Sequence, residues 1–138
     1  MLADEQVSKI ERTTTLRKLL NAPITGKLFA AAVSGIGGML AIALLARLSV
    51  SLNTPLLIAP FGASCVLVFA IPQSPLAQPR NVIGGHLLSS AIGLAVFGLM
   101  GASPLAYGLA VGLAIAAMQF SGTLHPPAGA DPIVVILA

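Results

Sequence analysis

The sequence predicts an all-α protein, a polytopic membrane domain with about four full spans or near-spans plus broken or re-entrant half-helices. Between Lys27 and Asp131 the chain carries only two formal charges, Arg47 and Arg80, so roughly a hundred consecutive residues suit lipid rather than water. The chain is 57% hydrophobic and 8% charged, against roughly 25% charged residues in a soluble domain. We divide it into an N-terminal segment, residues 1–26, and a transmembrane domain, residues 27–138.

Most of the positive charge lies at one end of the chain. Five basic residues precede the first apolar run: Lys9, Arg12, Arg17, Lys18 and Lys27. This distribution is typical of a cytoplasmic N-terminus, and we expect a multi-pass membrane protein. Residues 1–26 are expected to form an amphipathic helix on the lipid surface or a solvated tail. With 4% aromatic residues and no tryptophan, the chain lacks the pattern of a nucleic-acid-binding surface.

The first half of the apolar region predicts one complete span and one interrupted span. Residues 28–46 carry no charge and are long enough to cross a bilayer. Residues 54–72 are also apolar but contain Pro55, Pro60 and Gly62, which a continuous helix in lipid would not tolerate. We expect a half-helix from about Phe61 to Ala70, preceded by extended chain.

The second half predicts two further spans. Residues 72–80 form a loop whose three prolines exclude a helix. Asn81 is expected to cap a third helix ending near Met100, and Pro104 to open a fourth ending near Phe120. Gly108 and Gly112, four residues apart, predict a close-packing face on the fourth helix.

The last segment repeats the interrupted one. Residues 60–66 (PFGASCV) align on proline with residues 127–133 (PAGADPI), and each stretch follows a full-length helix. If every segment crosses, the two broken segments run in opposite directions, which is the topology of an inverted repeat. The final stretch is too short for a span, so either it is re-entrant or the domain is incomplete at residue 138.

Broken helices leave backbone N–H groups and dipole ends that lipid cannot satisfy. Two helix N-termini meeting near the bilayer midplane would attract a small anion. The alternative is a pair of proline kinks satisfied by neighbouring helices; the matched pair favours an anion site. The predicted substrate-binding residues are Phe61, Gly62, Ala63, Ser64, His125, Ala128, Gly129 and Ala130.

Four polar side chains have predicted roles beside this site. His125 is expected to gate the site or carry a coupled proton, or else to make a packing hydrogen bond. His86 has the same candidate role, with helix capping as its alternative. Asp131 is expected to cap the last half-helix or to carry a proton. Arg80 is expected to guard a pore mouth or to anchor at the headgroups.

Enzyme activity, a cofactor and a metal site are not expected. Ser64, His86 and Asp131 supply the residue types of a catalytic triad, but residues 62–66 (GASCV) lack the closing glycine of a nucleophile elbow. The histidines and the single cysteine, Cys65, are scattered without ligand spacing.

Three ordered motifs resemble those of the HPP family of integral membrane proteins: residues 60–64 (PFGAS), 74–86 (SPLAQPRNVIGGH) and 125–130 (HPPAGA). The resemblance extends from about Lys27 to the end of the chain. It implies a small helical membrane domain, and plant plastid and cyanobacterial members are associated with nitrite transport.

The leading functional hypothesis is a transporter or channel of the bacterial inner membrane for a small inorganic anion, with nitrite as the first candidate. The alternative is a membrane scaffold or sensor subunit that does not transport. The expected partners are membrane lipid, the anion and further copies of the same chain in a homo-oligomer.

Overall fold

A computed structural model describes residues 23–138, so residues 1–22 of the predicted N-terminal segment lie outside the described part. The described residues form helices and turns without strands, which confirms the predicted all-α class. In chain order the elements are α1 (Ile24–Ser51), α2 (Ala59–Cys65) with a π-helical turn (Val66–Ala70), a 3-10 turn (Pro75–Ala77), α3 (Pro79–Met100), α4 (Pro104–Ser121), a second 3-10 turn (Pro126–Ala130) and α5 (Asp131–Leu137).

The described residues divide into two units by their contacts, residues 23–33 and residues 34–138. The described helix of the first unit is the beginning of α1, in which residues 24–33 have exposed side chains. The packing described below lies within residues 34–138.

Three helices in the described part are long and apolar enough to cross a membrane, namely α1, α3 and α4. Even α4, with 18 residues, has a length of about 27 Å, close to the hydrocarbon thickness of a bilayer. The first helix is longer than the predicted run of residues 28–46, because it begins at Ile24 and ends at Ser51.

The predicted cap of α3 is wrong. The helix begins at Pro79, because proline has no backbone N–H to satisfy and its fixed φ suits the first helical position. Asn81 instead donates from Nδ2 to the carbonyl oxygen of Leu124 at 2.8 Å. Pro104 opens α4 as predicted, and the Ser103 side chain caps this helix by accepting from the Ala106 N–H at 3.2 Å.

The two remaining apolar segments are too short to cross alone. Ala59–Ala70 and Pro126–Leu137 each extend about 18 Å, well below the roughly 30 Å of a bilayer core. The π-helical turn disturbs the regular bonding of the first segment. Ser34 Oγ of α1 compensates by donating to the carbonyl oxygen of Phe69 at 2.8 Å.

The two short segments run in opposite directions, as the inverted repeat requires. Phe61 and Ser64 contact His86 inside α3, whereas the π-helical turn ends at the loop that leads to the start of α3. The first segment is therefore antiparallel to α3. The second is parallel to it, since His125 lies against Gly85 and Pro132 lies against Gly93.

Small residues allow α3, α4 and the second short segment to approach closely. The buried positions repeat every fourth residue: Gly85, Ser89 and Gly93 on α3, and Ala106, Ala110, Ala114 and Met118 on α4. The predicted Gly108/Gly112 face does not pack within the chain. Both glycines are exposed, because positions 106 and 108 lie about 200° apart around a helix.

Candidate functional site

A buried polar cluster lies where the two short segments meet α3. Its buried members are Ser64, Ser89, His125 and Asp131, of which His125 and Ser89 are 0% exposed and Asp131 is 1% exposed. Ionisable side chains at membrane depth are costly and are found mainly on substrate, ion or proton pathways. The cluster is therefore the candidate functional site of the described chain.

His86 lies at the centre of the cluster. Its Nε2 is 2.9 Å from Ser64 Oγ, and its Nδ1 is 2.7 Å from Asp131 Oδ2. The Phe61 ring contacts it edge-on, with the ring centroids 5.1 Å apart. Ser64 and Asp131 occupy equivalent positions of the aligned repeat, so the two broken segments hold opposite edges of one imidazole ring.

His125 extends the cluster toward the loop before α3. Its Nε2 lies 2.8 Å from Ser64 Oγ, and its Nδ1 lies 2.7 Å from the carbonyl oxygen of Leu76. The backbone of His125 is extended, as expected for a residue that precedes a proline. A side chain of α2 and a backbone carbonyl of the first 3-10 turn thus orient the two nitrogens of this ring.

The Asp131 carboxyl group makes contacts other than the predicted helix cap. Asp131 is the first residue of α5, and Oδ2 contacts His86 and, at 3.4 Å, Ser90 Oγ. Asp131 lies in the first turn of α5, where a carboxylate is favoured. The N-cap position belongs to Ala130 and no side chain makes a capping hydrogen bond there, so the predicted cap is wrong in that respect. Oδ1 is buried without a hydrogen-bond partner.

Close backbone contacts hold the second segment against α3. A Cβ added at Gly85 would lie 2.8 Å from His125 Cβ and 3.1 Å from the carbonyl oxygen of Thr123, too close for any side chain. Ser89 Oγ donates to the carbonyl oxygen of Ala128 at 2.5 Å. The helix therefore fixes the position of His125 by both shape and hydrogen bonding.

The structure brings five of the predicted residues into the cluster: Phe61, Ser64, His86, His125 and Asp131. Ala128 is buried behind it, while Gly62, Ala63 and Ala130 are exposed and Gly129 is half-buried. Two amides predicted to face an anion already have partners, because the Phe61 N–H donates to Ile58 and the Ala128 N–H donates to His125.

Arg80 lies apart from the cluster at the start of α3. Its side chain donates from an Nη atom to the carbonyl oxygen of Ser121 at 2.9 Å and lies against Gly122. Arg80 thus links the start of α3 to the end of α4. Arg80 is exposed, and its predicted role at a pore mouth stays a prediction.

Sequence reasoning missed Ser89, Ser90 and the Leu76 carbonyl. The two serines follow His86 by three and four residues in an otherwise apolar helix, which places all three side chains on one face. That spacing could have identified them. The Leu76 carbonyl carries no such signal, because its contact depends on the fold of the loop.

An apolar groove reaches the cluster from α1. About 210 Å³ of space lies between α1 and the first short segment, bordered by Phe61 and Ser64 together with aliphatic side chains. Among residues 23–138, no three His, Cys, Asp or Glu side chains are grouped so that they could hold a metal ion.

Comparison with known proteins agrees with the architecture. The sequence profile of the HPP transmembrane region matches residues 23–138. This chain belongs to the HPP family. Its relatives include two transmembrane proteins of Dictyostelium discoideum, both 41% identical: one over 106 residues, 73% of this chain, and the other over 105 residues, 72% of this chain. The HPP domain spans about a third of those relatives, 34% and 37% of their lengths. No solved structure matches this chain.

Proposed function

We propose that this HPP chain is a transporter for a small inorganic anion. The observation that carries the proposal is the cluster of buried Ser64, His125 and Asp131 around half-buried His86, at the junction of two oppositely directed short segments. Transporters of inverted-repeat architecture bind their substrates where broken helices meet. The groove between α1 and the first short segment borders the cluster at Phe61 and Ser64.

The charges of the site favour an anion. The two imidazoles offer N–H donors to an anion, and Arg80, which lies apart from the cluster, adds a fixed positive charge at the start of α3. The Asp131 carboxyl group, which could repel an anion, is engaged by His86 at 2.7 Å. Nitrite is the first candidate because of the family resemblance. No contact in the described site distinguishes it from nitrate or chloride.

Flux into proteoliposomes tests the proposal. We expect the purified full chain to take up at least one of nitrite, nitrate and chloride faster than empty vesicles, and a His86→Leu variant to lose that uptake. A Gly98→Leu variant serves as the folded control, because Gly98 has no neighbour within 4 Å of an added Cβ. Uptake of all three anions at the rate of empty vesicles would refute transport. The scaffold alternative would then predict a stoichiometric protein partner in crosslinked native membranes.

An acyl-transfer enzyme is a second candidate, because Ser64, His86 and Asp131 lie in the hydrogen-bond order of a catalytic triad. Such an enzyme also needs backbone or side-chain donors for the oxyanion. Ser64 lies inside α2, where backbone amides are bonded within the helix, and no nucleophile elbow exposes its hydroxyl.

We therefore expect a serine-directed fluorophosphonate probe to leave Ser64 unmodified. The measurement is intact-mass spectrometry of the protein in lipid nanodiscs, with a membrane serine hydrolase as the positive control. Stoichiometric labelling that a Ser64→Ala variant abolishes would favour the enzyme over the transporter.

The bacterial inner membrane as location and the cytoplasmic N-terminus stay predictions. The relatives in Dictyostelium place the family in membranes without defining which membrane holds this chain. Residues 23–138 of the described chain are consistent with either orientation.

A further inference from the structure

The cluster forms one continuous hydrogen-bonded chain. It runs from the Leu76 carbonyl through His125, Ser64 and His86 to Asp131, with donor–acceptor distances between 2.7 and 2.9 Å. Every link joins groups that can give and receive a proton, except the carbonyl at one end. Because the Leu76 carbonyl can only accept, it determines which atom donates in each of the other hydrogen bonds.

The direction is fixed first at His125. A carbonyl oxygen only accepts, so the hydrogen at the Leu76 end must lie on Nδ1 of His125. In a neutral ring Nε2 is then an acceptor, and Ser64 must donate its hydroxyl hydrogen to it. The alternative bond from Ser64 to the Pro60 carbonyl, at 3.2 Å, would require His125 to be a cation.

The same reasoning continues to Asp131. Because the Ser64 hydrogen points to His125, its oxygen must accept from Nε2–H of His86. In a neutral His86 ring, Nδ1 is then an acceptor, so the proton in this contact lies on Oδ2 of Asp131. The unpartnered Oδ1 favours this neutral carboxylic acid, because a buried charge without partners is costly. One mobile proton is therefore held between Asp131 and His86.

We propose that the cluster is a proton relay between Asp131 and His125. The O–H bond of Asp131 breaks as Nδ1–H forms on His86; Nε2–H of His86 breaks as a new O–H forms on Ser64; the original Ser64 O–H breaks as Nε2–H forms on His125. The sum is the transfer of one proton. It leaves an Asp131 carboxylate and a His125 cation. His86 then carries its hydrogen on Nδ1 instead of Nε2, and Ser64 donates to His86 instead of to His125.

The relay, resting on the proposed function, makes the transport proton-coupled. A small anion beside His125 would stabilise the cationic ring and draw the proton from Asp131. The titratable groups in contact with the relay within residues 34–138 are its own members, while Arg80 is bonded to Ser121. Because the Leu76 carbonyl cannot accept the proton itself, His125 is the last proton acceptor of the relay.

Nitrogen-15 NMR of histidine-labelled protein in lipid tests the relay without any flux. The chain contains two histidines, and spectra of a His125→Gln variant assign them. We expect neutral His125 to carry its hydrogen on Nδ1 and His86 to carry one on Nε2. Neutral His125 protonated on Nε2, or neutral His86 protonated only on Nδ1, would overturn the proposal.

Simultaneous measurement of anion and proton uptake supplies the second test. In proteoliposomes holding a pH dye, we expect the wild type to move protons with the anion and Ser64→Ala to lower the proton-to-anion ratio at least about tenfold. Ser121→Ala is the matched control, since it removes a half-buried hydroxyl that bonds the Ala117 carbonyl within α4, away from the cluster, and is expected to keep the ratio. Ser64→Thr restores a hydroxyl and is expected to recover it.

The outcomes separate the two proposals. Anion uptake without proton movement in the wild type, or an unchanged ratio in Ser64→Ala, would refute the relay and leave transport intact. No uptake of any anion would refute transport, and the histidine tautomers would still decide the relay. The histidine tautomers are measured on the wild type, so this test of the relay does not depend on whether the variants fold.

Discussion

Replacing His86 with alanine is expected to lower the free energy of unfolding by about 3 kcal/mol and to abolish anion uptake. The imidazole satisfies Ser64 at one nitrogen and Asp131 at the other, and its ring packs against Phe61. Alanine leaves the buried Asp131 carboxyl group with only the 3.4 Å contact to Ser90. Thermal unfolding in detergent, followed by circular dichroism, measures the loss.

Two controls distinguish the lost hydrogen bonds from general damage to α3. Leu87→Ala truncates the adjacent residue, which is 68% exposed, and is expected to change stability by no more than about 0.5 kcal/mol. In a double-mutant cycle, His86→Ala and Asp131→Ala together should cost at least about 1 kcal/mol less than the sum of the single losses. Strictly additive losses would contradict the coupling of the two side chains.

The long helices could be predicted because lipid imposes a simple requirement. Residues that cross a bilayer must be apolar over the whole span, so α1, α3 and α4 are evident from the distribution of charge. Prolines in the apolar runs likewise indicated the two short segments. The ends were less certain: α3 begins at Pro79 rather than being capped by Asn81, because the side chain of Asn81 bonds a distant carbonyl.

The contacts of the site could be predicted only in part. The repeat paired Ser64 with Asp131, and both contact His86 in the structure. The sequence does not show that His86 lies between them, because helical spacing gives the face of a residue but not its partner. Asp131 was expected to cap a helix, an interaction with near neighbours, and instead contacts a ring 45 positions away in sequence.

Small-residue stripes show the same limit. The fourth helix carries two, Gly108/Gly112 and Ala106/Ala110/Ala114, and both have the four-residue spacing that permits close packing. Ala106 and Ala110 pack with Val96 and Ile136 in one buried cluster, and Ala114 is buried as well. Spacing alone predicts that a face can pack closely; the shape of the neighbouring segment decides which face does so.

Gly93→Leu is expected to destabilise the protein by about 3 kcal/mol and to disrupt the polar cluster with it. A Cβ at this position would lie 2.8 Å from Pro132 Cα and 3.3 Å from Val135 Cβ. Backbone cannot move aside as a flexible side chain can, so α5 must shift away from α3. Pro132 directly follows Asp131, and such a shift would lengthen the 2.7 Å contact between Asp131 and His86.

Gly98→Leu makes the same substitution one and a half turns further along α3, where no atom lies within 4 Å of the added Cβ. It is expected to match or slightly exceed wild-type stability, because leucine is the better helix former. Thermal unfolding of both variants in one detergent makes the comparison, and histidine nitrogen-15 spectra report on the cluster. Equal midpoints for the two variants would show that α3 and α5 do not touch at Gly93. Because Gly93 has no side chain that could contact the cluster, an altered His86 signal in Gly93→Leu would demonstrate that the packing of α5 on α3 positions Asp131 against His86.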